Sequence, residues 1–218
     1  FNAPRQGDVI EQDDPYLTFL PMIVNASTGS EAGDGELAGL ITRLTNGNPD
    51  QEVGAFIEGL MAAEVVQQPL GDVDWVSPQP DTLTSYQAAE AVGVTGLLAN
   101  PDQTGSSFSQ MQQGQDVVII NGDGSLLTYQ VAATLEFQVV TPGDPNSDLI
   151  ELQYDIRMPA EVVFGGIYNG TDRVVFQTNI VRNGIINWGR MYVVAFPPST
   201  EISGDQNSFS AFTATFQK

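Results

Sequence analysis

The sequence predicts a mainly β chain arranged as an antiparallel barrel or sandwich, and three observations carry that prediction. Residues 173–195, RVVFQTNIVRNGIINWGRMYVVA, set two runs rich in Val, Ile, Phe and Tyr on either side of Asn183-Gly184. That pair is a strong short-range β-hairpin signal, because the tight turn joining two strands needs residues that accept positive φ. Residues 116–120 and 126–137 flank Asn121-Gly122-Asp123-Gly124 in the same way. Finally, seven or more short strand-like segments follow one another with turn residues between them, the pattern of an antiparallel all-β unit. Local pattern leaves barrel and sandwich both open.

Composition bounds what such a chain does. At 218 residues, 41% of them hydrophobic, it is long enough to bury a real core. The 27 acidic residues against 7 basic ones give a formal charge of −20, which repels phosphate backbones and anionic lipid, so neither nucleic acid nor an anionic membrane is an expected partner. No cysteine is present, which removes disulfides, thiolate metal sites and thiol nucleophiles. No histidine is present either, which removes the commonest general base and metal ligand. No run of about 18 apolar residues occurs, so insertion into a bilayer is not expected. The sequence begins at Phe1 rather than methionine, as expected of a secreted chain after signal-peptide removal.

Taken in order, residues 1–24 read as an extended leader with an apolar end, in which Tyr16, Leu17, Phe19, Leu20 and Ile23 form a strand-like run broken by Pro21. Residues 25–68 read as a short helical hairpin. Leu37, Leu40, Ile41 and Leu44 recur at helical spacing, and Asn48 with Pro49 and Gln51 resembles a capped start for a second helix through Val53, Phe56, Ile57, Leu60, Met61 and Val65. Residues 69–83 are irregular and contain three prolines. Strands are expected over 92–98, 116–120, 126–137, 149–154 and 162–167, followed by the hairpin of residues 173–195. Past Pro197-Pro198, Phe212, Ala214 and Phe216 alternate with polar residues and predict an extra C-terminal strand within 197–218.

Several segments, in order, resemble sortases, the transpeptidases that anchor proteins to bacterial surfaces. Gly93-Val94-Thr95-Gly96-Leu97-Leu98-Ala99 resembles the strand leading to the family histidine, and Gly105 and Phe108 resemble the glycine and phenylalanine beyond it. Gly114-Gln115-Asp116-Val117, the turn at 121–125 and Thr128-Tyr129-Gln130-Val131 resemble the central hairpin. Thr141-Pro142 with Asn146-Ser147 resembles the next loop, and residues 174–195 resemble the active-site hairpin. The resemblance covers a little under half of the chain. It implies a sortase-like antiparallel β-barrel over residues 69–218, with the short N-terminal helical hairpin and extended N- and C-terminal strands outside that core.

Carried over residue by residue, the family histidine falls at Asn100, the family cysteine at Asn179 after Thr178, and the family arginine at Arg190, which is kept. In the family the thiolate attacks a carbonyl, the histidine acts as acid or base, and the arginine steadies substrate and oxyanion. A carboxamide does neither of the first two jobs. Its nitrogen lone pair is delocalised, so Asn179 is no nucleophile and Asn100 exchanges no proton near neutrality. The resemblance therefore implies a pseudo-enzyme. Arg190 also has a plain reading, as a strand arginine whose charge meets one of many carboxylates.

Other chemistries fare worse. Serine–histidine catalysis has no histidine, and no carboxylate pair stands out for hydrolysis. No cofactor is implied. Calcium is the one candidate, since Asp144-Pro145-Asn146-Ser147-Asp148 and Asp205-Gln206-Asn207 place hard oxygen donors on turns. Asn25 and Asn169 sit in glycosylation sequons. The leading functional expectation is a non-enzymatic protein of the cell exterior, a homo-oligomer or polymer that forms a filament or surface layer when the 16–24 segment adds as a strand to a neighbouring copy. The alternative is a binding module that holds a peptide or glycan near Asn100, Asn179 and Arg190.

Overall fold

The computed structural model of the chain describes residues 31–170, 172–198 and 204–217. A helix α1 (Glu31–Leu44) leads into the hairpin β1 (Glu52–Ile57) and β2 (Met61–Gln67). Next come β3 (Thr82–Ser85), a one-turn helix α2 (Gln87–Glu90), β4 (Thr95–Ala99) and a 3-10 segment (Thr104–Gln110). The hairpin β5 (Asp116–Asn121) and β6 (Leu126–Val139) is followed by β7 (Leu149–Glu151), β8 (Ile156–Met158) and α3 (Ala160–Tyr168). The long hairpin β9 (Val174–Arg182) and β10 (Ile185–Phe196) precedes α4 (Gly204–Ala214) and a final 3-10 turn (Thr215–Gln217).

The sheet closes on itself. Its strand order runs β10-β9-β4-β3-β2-β1-β5-β6, and β10 pairs with β6 to complete an eight-stranded barrel. Strand β6 is long enough to serve several partners. Leu126 to Gln130 pair with β5, Gln130 to Gln138 pair with β10, and Phe137 to Val139 take β7 on the edge that β5 has left. Six of the barrel's ladders are antiparallel, as expected, but β2–β3 and β4–β9 are parallel. Parallel neighbours need a crossover rather than a tight turn. The proline-bearing stretch after Gln67 is that crossover for β2 and β3.

Strand alternation divides the apolar residues into three layers. Val174 and Phe176 of β9 and Met191, Val193 and Ala195 of β10 point into the barrel, together with Ala55, Ile57, Leu97, Ile119 and Phe108. Val175 of β9 and Tyr192, Val194 and Phe196 of β10 point outward, and are covered by Val163 and Ile167 of α3, Phe209 of α4 and Phe216. On the far wall, Leu37, Leu40, Ile41 and Leu44 of α1 cover Val53, Phe56 and Ile120, so the helical face read from the sequence is the face that packs. A strand buried on both faces loses its in–out pattern and reads as a continuous apolar run.

That loss explains where sequence and structure part. The second helix expected within 48–65 is instead the β1–β2 hairpin. With Ala55 and Ile57 inside and Val53 and Phe56 beneath α1, β1 is apolar on both faces and satisfies helical spacing equally well. Two glycines carried the contrary signal. Gly59 makes the turn at φ +69°, and a Cβ on Gly54 would lie 2.8 Å from Leu44 Cδ1.

The strand expected over 162–167 is helix α3, whose Val163 and Ile167 lie one turn apart on its buried side. The extra C-terminal strand is helix α4 and its 3-10 turn. Its pattern is Phe209, Phe212 and Phe216 on one face, not the alternation of 212, 214 and 216. Strand 92–98 starts later, at Thr95, and strand 149–154 stops at Glu151. The leader at 1–24, with Tyr16, Leu17, Phe19, Leu20 and Ile23, lies outside the described residues.

A buried arginine fastens the outer layer. Arg173 is 1% exposed, donates from Nη1 to the carbonyls of Ile167 (2.9 Å) and Gly166 (3.3 Å), and lies 5.1 Å and 5.5 Å from the ring centres of Phe196 and Phe209. A cation at the C-terminal end of α3 meets carbonyls that the helix itself leaves unpaired.

Candidate functional site

The β4–β9 ladder sets Ala99 beside Thr178, and the Thr178 hydroxyl donates to the Ala99 carbonyl at 2.8 Å. One residue further along each strand stand Asn100 and Asn179. In the neighbouring ladder Asn179 is opposite Arg190. Three residues far apart in sequence thus become a row across three adjacent strands. All three line one groove of about 540 Å³ on the outer wall of the barrel, together with Gln177, Asn187, Leu98, Tyr86, Val139 and two loops, one bearing Val73, Asp74 and Val76 and the other Gly143, Asp144 and Pro145.

The walls are held by specific bonds. Asn100 Nδ2 donates to the Ser77 carbonyl (2.7 Å), and Asn100's own carbonyl accepts the Gly105 amide (3.0 Å). A side chain at Gly105 would run into that carbonyl and into Thr178 Oγ1, so glycine is required where the 3-10 segment crosses the groove's end. The loop carrying Val73 and Asp74 is pinned by the buried Gln68, whose Nε2 donates to the carbonyls of Val73 (2.9 Å) and Trp75 (3.0 Å). Gln68 also accepts from the Gln87 amide at 3.2 Å, tying the loop to α2. Asn179 Nδ2 donates to Asn187 Oδ1 at 3.0 Å.

Beneath the polar row lies an aromatic floor. Tyr168 packs edge-on against Tyr86 and Tyr192, with ring centres 5.8 Å and 6.3 Å away, and donates its hydroxyl to Gln177 Oε1 at 2.8 Å. Burial pushes the Tyr168 phenol well above its ordinary value of 10.0. Burial also raises Tyr192 and Tyr86. The Arg190 charge opposes that rise in both. Among the described residues Arg190 makes no ion pair within 4 Å, and Asp74 and Asp144 share its groove.

Chemically, the groove offers four carboxamides that both donate and accept, one guanidinium, and the carboxylates of Asp74 and Asp144 at its rim. Such a lining suits peptide amides, sugar hydroxyls or a carboxylate. It holds no thiol and no imidazole, because the chain has none.

Among the described residues no cluster of three or more acidic side chains comes together as a metal site. Asp144 Oδ1 accepts from the Asn146 amide within its own turn (2.9 Å), and Asp148 Oδ2 accepts from Arg157 Nε on β8 (2.7 Å). Sequence reasoning missed Gln68, Ser77, Gln177 and Asn187. Nothing in a linear pattern marks a glutamine whose importance lies in which carbonyls reach it. No helix among the described residues is long and apolar enough to cross a membrane.

Compared with known proteins, no family model and no curated protein matches the chain. Solved structures do. The similarity is to sortases. Sortase A of Listeria monocytogenes aligns at TM-score 0.43 and 13% identity, covering 73% of this chain and 98% of that one. Sortase C1 of Streptococcus suis gives 0.44 and 14%, covering 78% and 83%. The sortase D5 transpeptidase of Clostridium perfringens gives 0.43 and 9%, covering 78% and 95%. Likeness at this overlap and identity transfers neither an activity nor a substrate to the chain.

Proposed function

We propose that the protein is a non-enzymatic binding module of the cell exterior whose groove holds an extended peptide or a glycan. The observation that carries this reading is the convergence of Asn100, Asn179 and Arg190, at three neighbouring strands, on one groove that Tyr86 also lines. Clefts with a few convergent polar groups are a usual form of ligand site, and the Tyr86 ring beside amide donors suits both peptides and sugars. The lack of cysteine and histidine favours holding over turnover.

The test is NMR titration of the full chain with a pentapeptide library and with a set of acidic and neutral oligosaccharides. Shifts confined to the side-chain amides of Asn100, Gln177, Asn179 and Asn187, and weakened at least tenfold by Arg190→Ala, are the expected result. A ligand bound equally well by that variant would overturn the groove as its site.

A second reading has its own observation. The edge of β8 (Ile156–Met158) opposite β7 carries no strand among the described residues, and an open edge accepts an added strand. A self-assembling subunit of an extracellular filament or surface layer would use it, with residues 16–24 of a neighbour as the added strand. Electron microscopy of the chain with and without residues 1–24 tests this. Fibres that persist without the leader would overturn strand exchange.

A further inference from the structure

Past Thr178 and before Gly189 the β9–β10 hairpin leaves the barrel. Its β4 partners stop at Thr178, its β6 partners begin at Gly189 and Ile180 still packs on the barrel core, so residues 181–188 extend past the barrel as a hairpin end, a ribbon with no other strand beside it among the described residues. Asn183 (φ 52°) and Gly184 (φ 78°) make the tight turn at its end. The ribbon carries Val181, Ile185 and Ile186, which are 43%, 45% and 68% exposed, and Arg182, whose guanidinium stacks 4.7 Å from the Trp188 ring centre.

The charge pattern is equally unusual. No aspartate or glutamate occurs from residue 173 to 200, in a chain that has 27. The ribbon is therefore a cationic, apolar projection on an otherwise acidic molecule.

The opposite pole has the complementary character. Because β4 runs parallel to β9, Gly93, Val94 and Thr95 lie at the end of the barrel away from the ribbon. There they line a cavity of about 360 Å³ with Asp50, Glu52 and Glu90. Glu52 accepts from Thr95 and Glu90 from Ser85, while Asp50 stands exposed at the rim.

We propose that the ribbon tip of one copy docks on the acidic opposite pole of a second copy. Charge complementarity decides the occupant. The −20 charge repels an anionic membrane and a second copy alike, but the second copy alone presents a localised partner, the exposed Asp50 at the rim of an acidic cavity, to Arg182 and the apolar tip. Contact between different patches on opposite ends is heterologous, and it extends into an open chain of subunits when its rotation does not close. This inference bears on the assembly reading but rests on the ribbon alone, not on the leader.

Sedimentation velocity of the full chain at about 0.15 M salt, where long-range repulsion between the acidic copies is screened, tests it. The wild type is expected to associate with rising concentration. Ile186→Asp, at an exposed position, is expected to weaken association at least tenfold, as is Arg182→Glu. Adding Asp50→Arg to Arg182→Glu is expected to recover part of that loss. Circular dichroism spectra matching the wild type would show that the variants fold. A wild type that stays monomeric, or association unchanged by Ile186→Asp, would overturn the proposal. The latter outcome would leave strand exchange by the leader intact. Binding to phosphatidylglycerol vesicles that is lost in Ile186→Asp, by a chain that never self-associates, would assign the tip to membrane instead.

Discussion

Asn179 and Arg190 stand opposite each other in the β9–β10 ladder, so a single cross-strand pair supplies both a carboxamide and the only cation of the groove. Side chains opposed in this way lie on one face within about 5 Å at Cβ. The pair forms at the point where the hairpin leaves the barrel wall, so the groove and the projecting ribbon share one piece of backbone.

Removing that cation is expected to be felt by the tyrosines. In Arg190→Gln the buried Tyr192 phenol loses the positive charge beside it. Arg190 also opposes the upward shift of Tyr192 and Tyr86, so both phenols should titrate higher in the variant. Phenolate absorbance against pH checks the direction, and unchanged midpoints would show that the guanidinium does not act on them.

Alkaline pH is expected to destabilise the fold through the same residues. Burial raises Tyr168 and Tyr192 above 10.0, so below about pH 10 both states keep their protons and these groups give no pH dependence. Above that value the unfolded chain ionises first and binds fewer protons than the folded one. Stability then falls, by up to about 1.4 kcal/mol per pH unit for each fully buried phenol. Tyr86 and Tyr129, raised mainly by burial too, should contribute less because water reaches them. Denaturant midpoints across the alkaline range measure the slope, and Tyr168→Phe should reduce it.

Arg173→Met keeps much of the side-chain volume but strips the Gly166 and Ile167 carbonyls of their donor and Phe196 and Phe209 of their cation. A loss of about 2–4 kcal/mol is expected. Hydrogen exchange should show α3 and α4 opening first, with the barrel strands still protected. Uniform loss of protection would mean that Arg173 supports the barrel itself.

Adjacent glycines in α3 are expected to respond with opposite signs. Gly165→Ala meets nothing within 4 Å and should stabilise by up to about 1 kcal/mol through helix propensity. Gly166→Ala drives its methyl into the Phe212 ring and should cost about 1–3 kcal/mol by displacing α4. Thermal melts of the two variants decide it, and equal shifts would contradict the close approach of α4.

The elements legible in the sequence are those whose signal is local. The Asn183-Gly184 turn, the hairpin around residues 121–124 and the packing face of α1 needed only a few neighbouring residues to specify them. β1 was misread because both of its faces are covered, and α4 because Phe212, Ala214 and Phe216 also fit an alternating count. In each case the missing information was which surface lies opposite.

By itself the sequence determined the β class, the hairpin turns, the acidic character and the lack of any thiol or imidazole, and so the lack of a cysteine nucleophile. These come from residue chemistry and nearest-neighbour geometry. Only the tertiary structure decided that Asn100, Asn179 and Arg190 share a groove, that Arg190 lies near buried phenols, and that the cationic ribbon and the acidic cavity occupy opposite poles. Each of these depends on the parallel β4–β9 ladder, which pairs residues some 80 positions apart, such as Ala99 and Thr178. Contacts of that range are selected by closure of the whole barrel, and no local pattern encodes them.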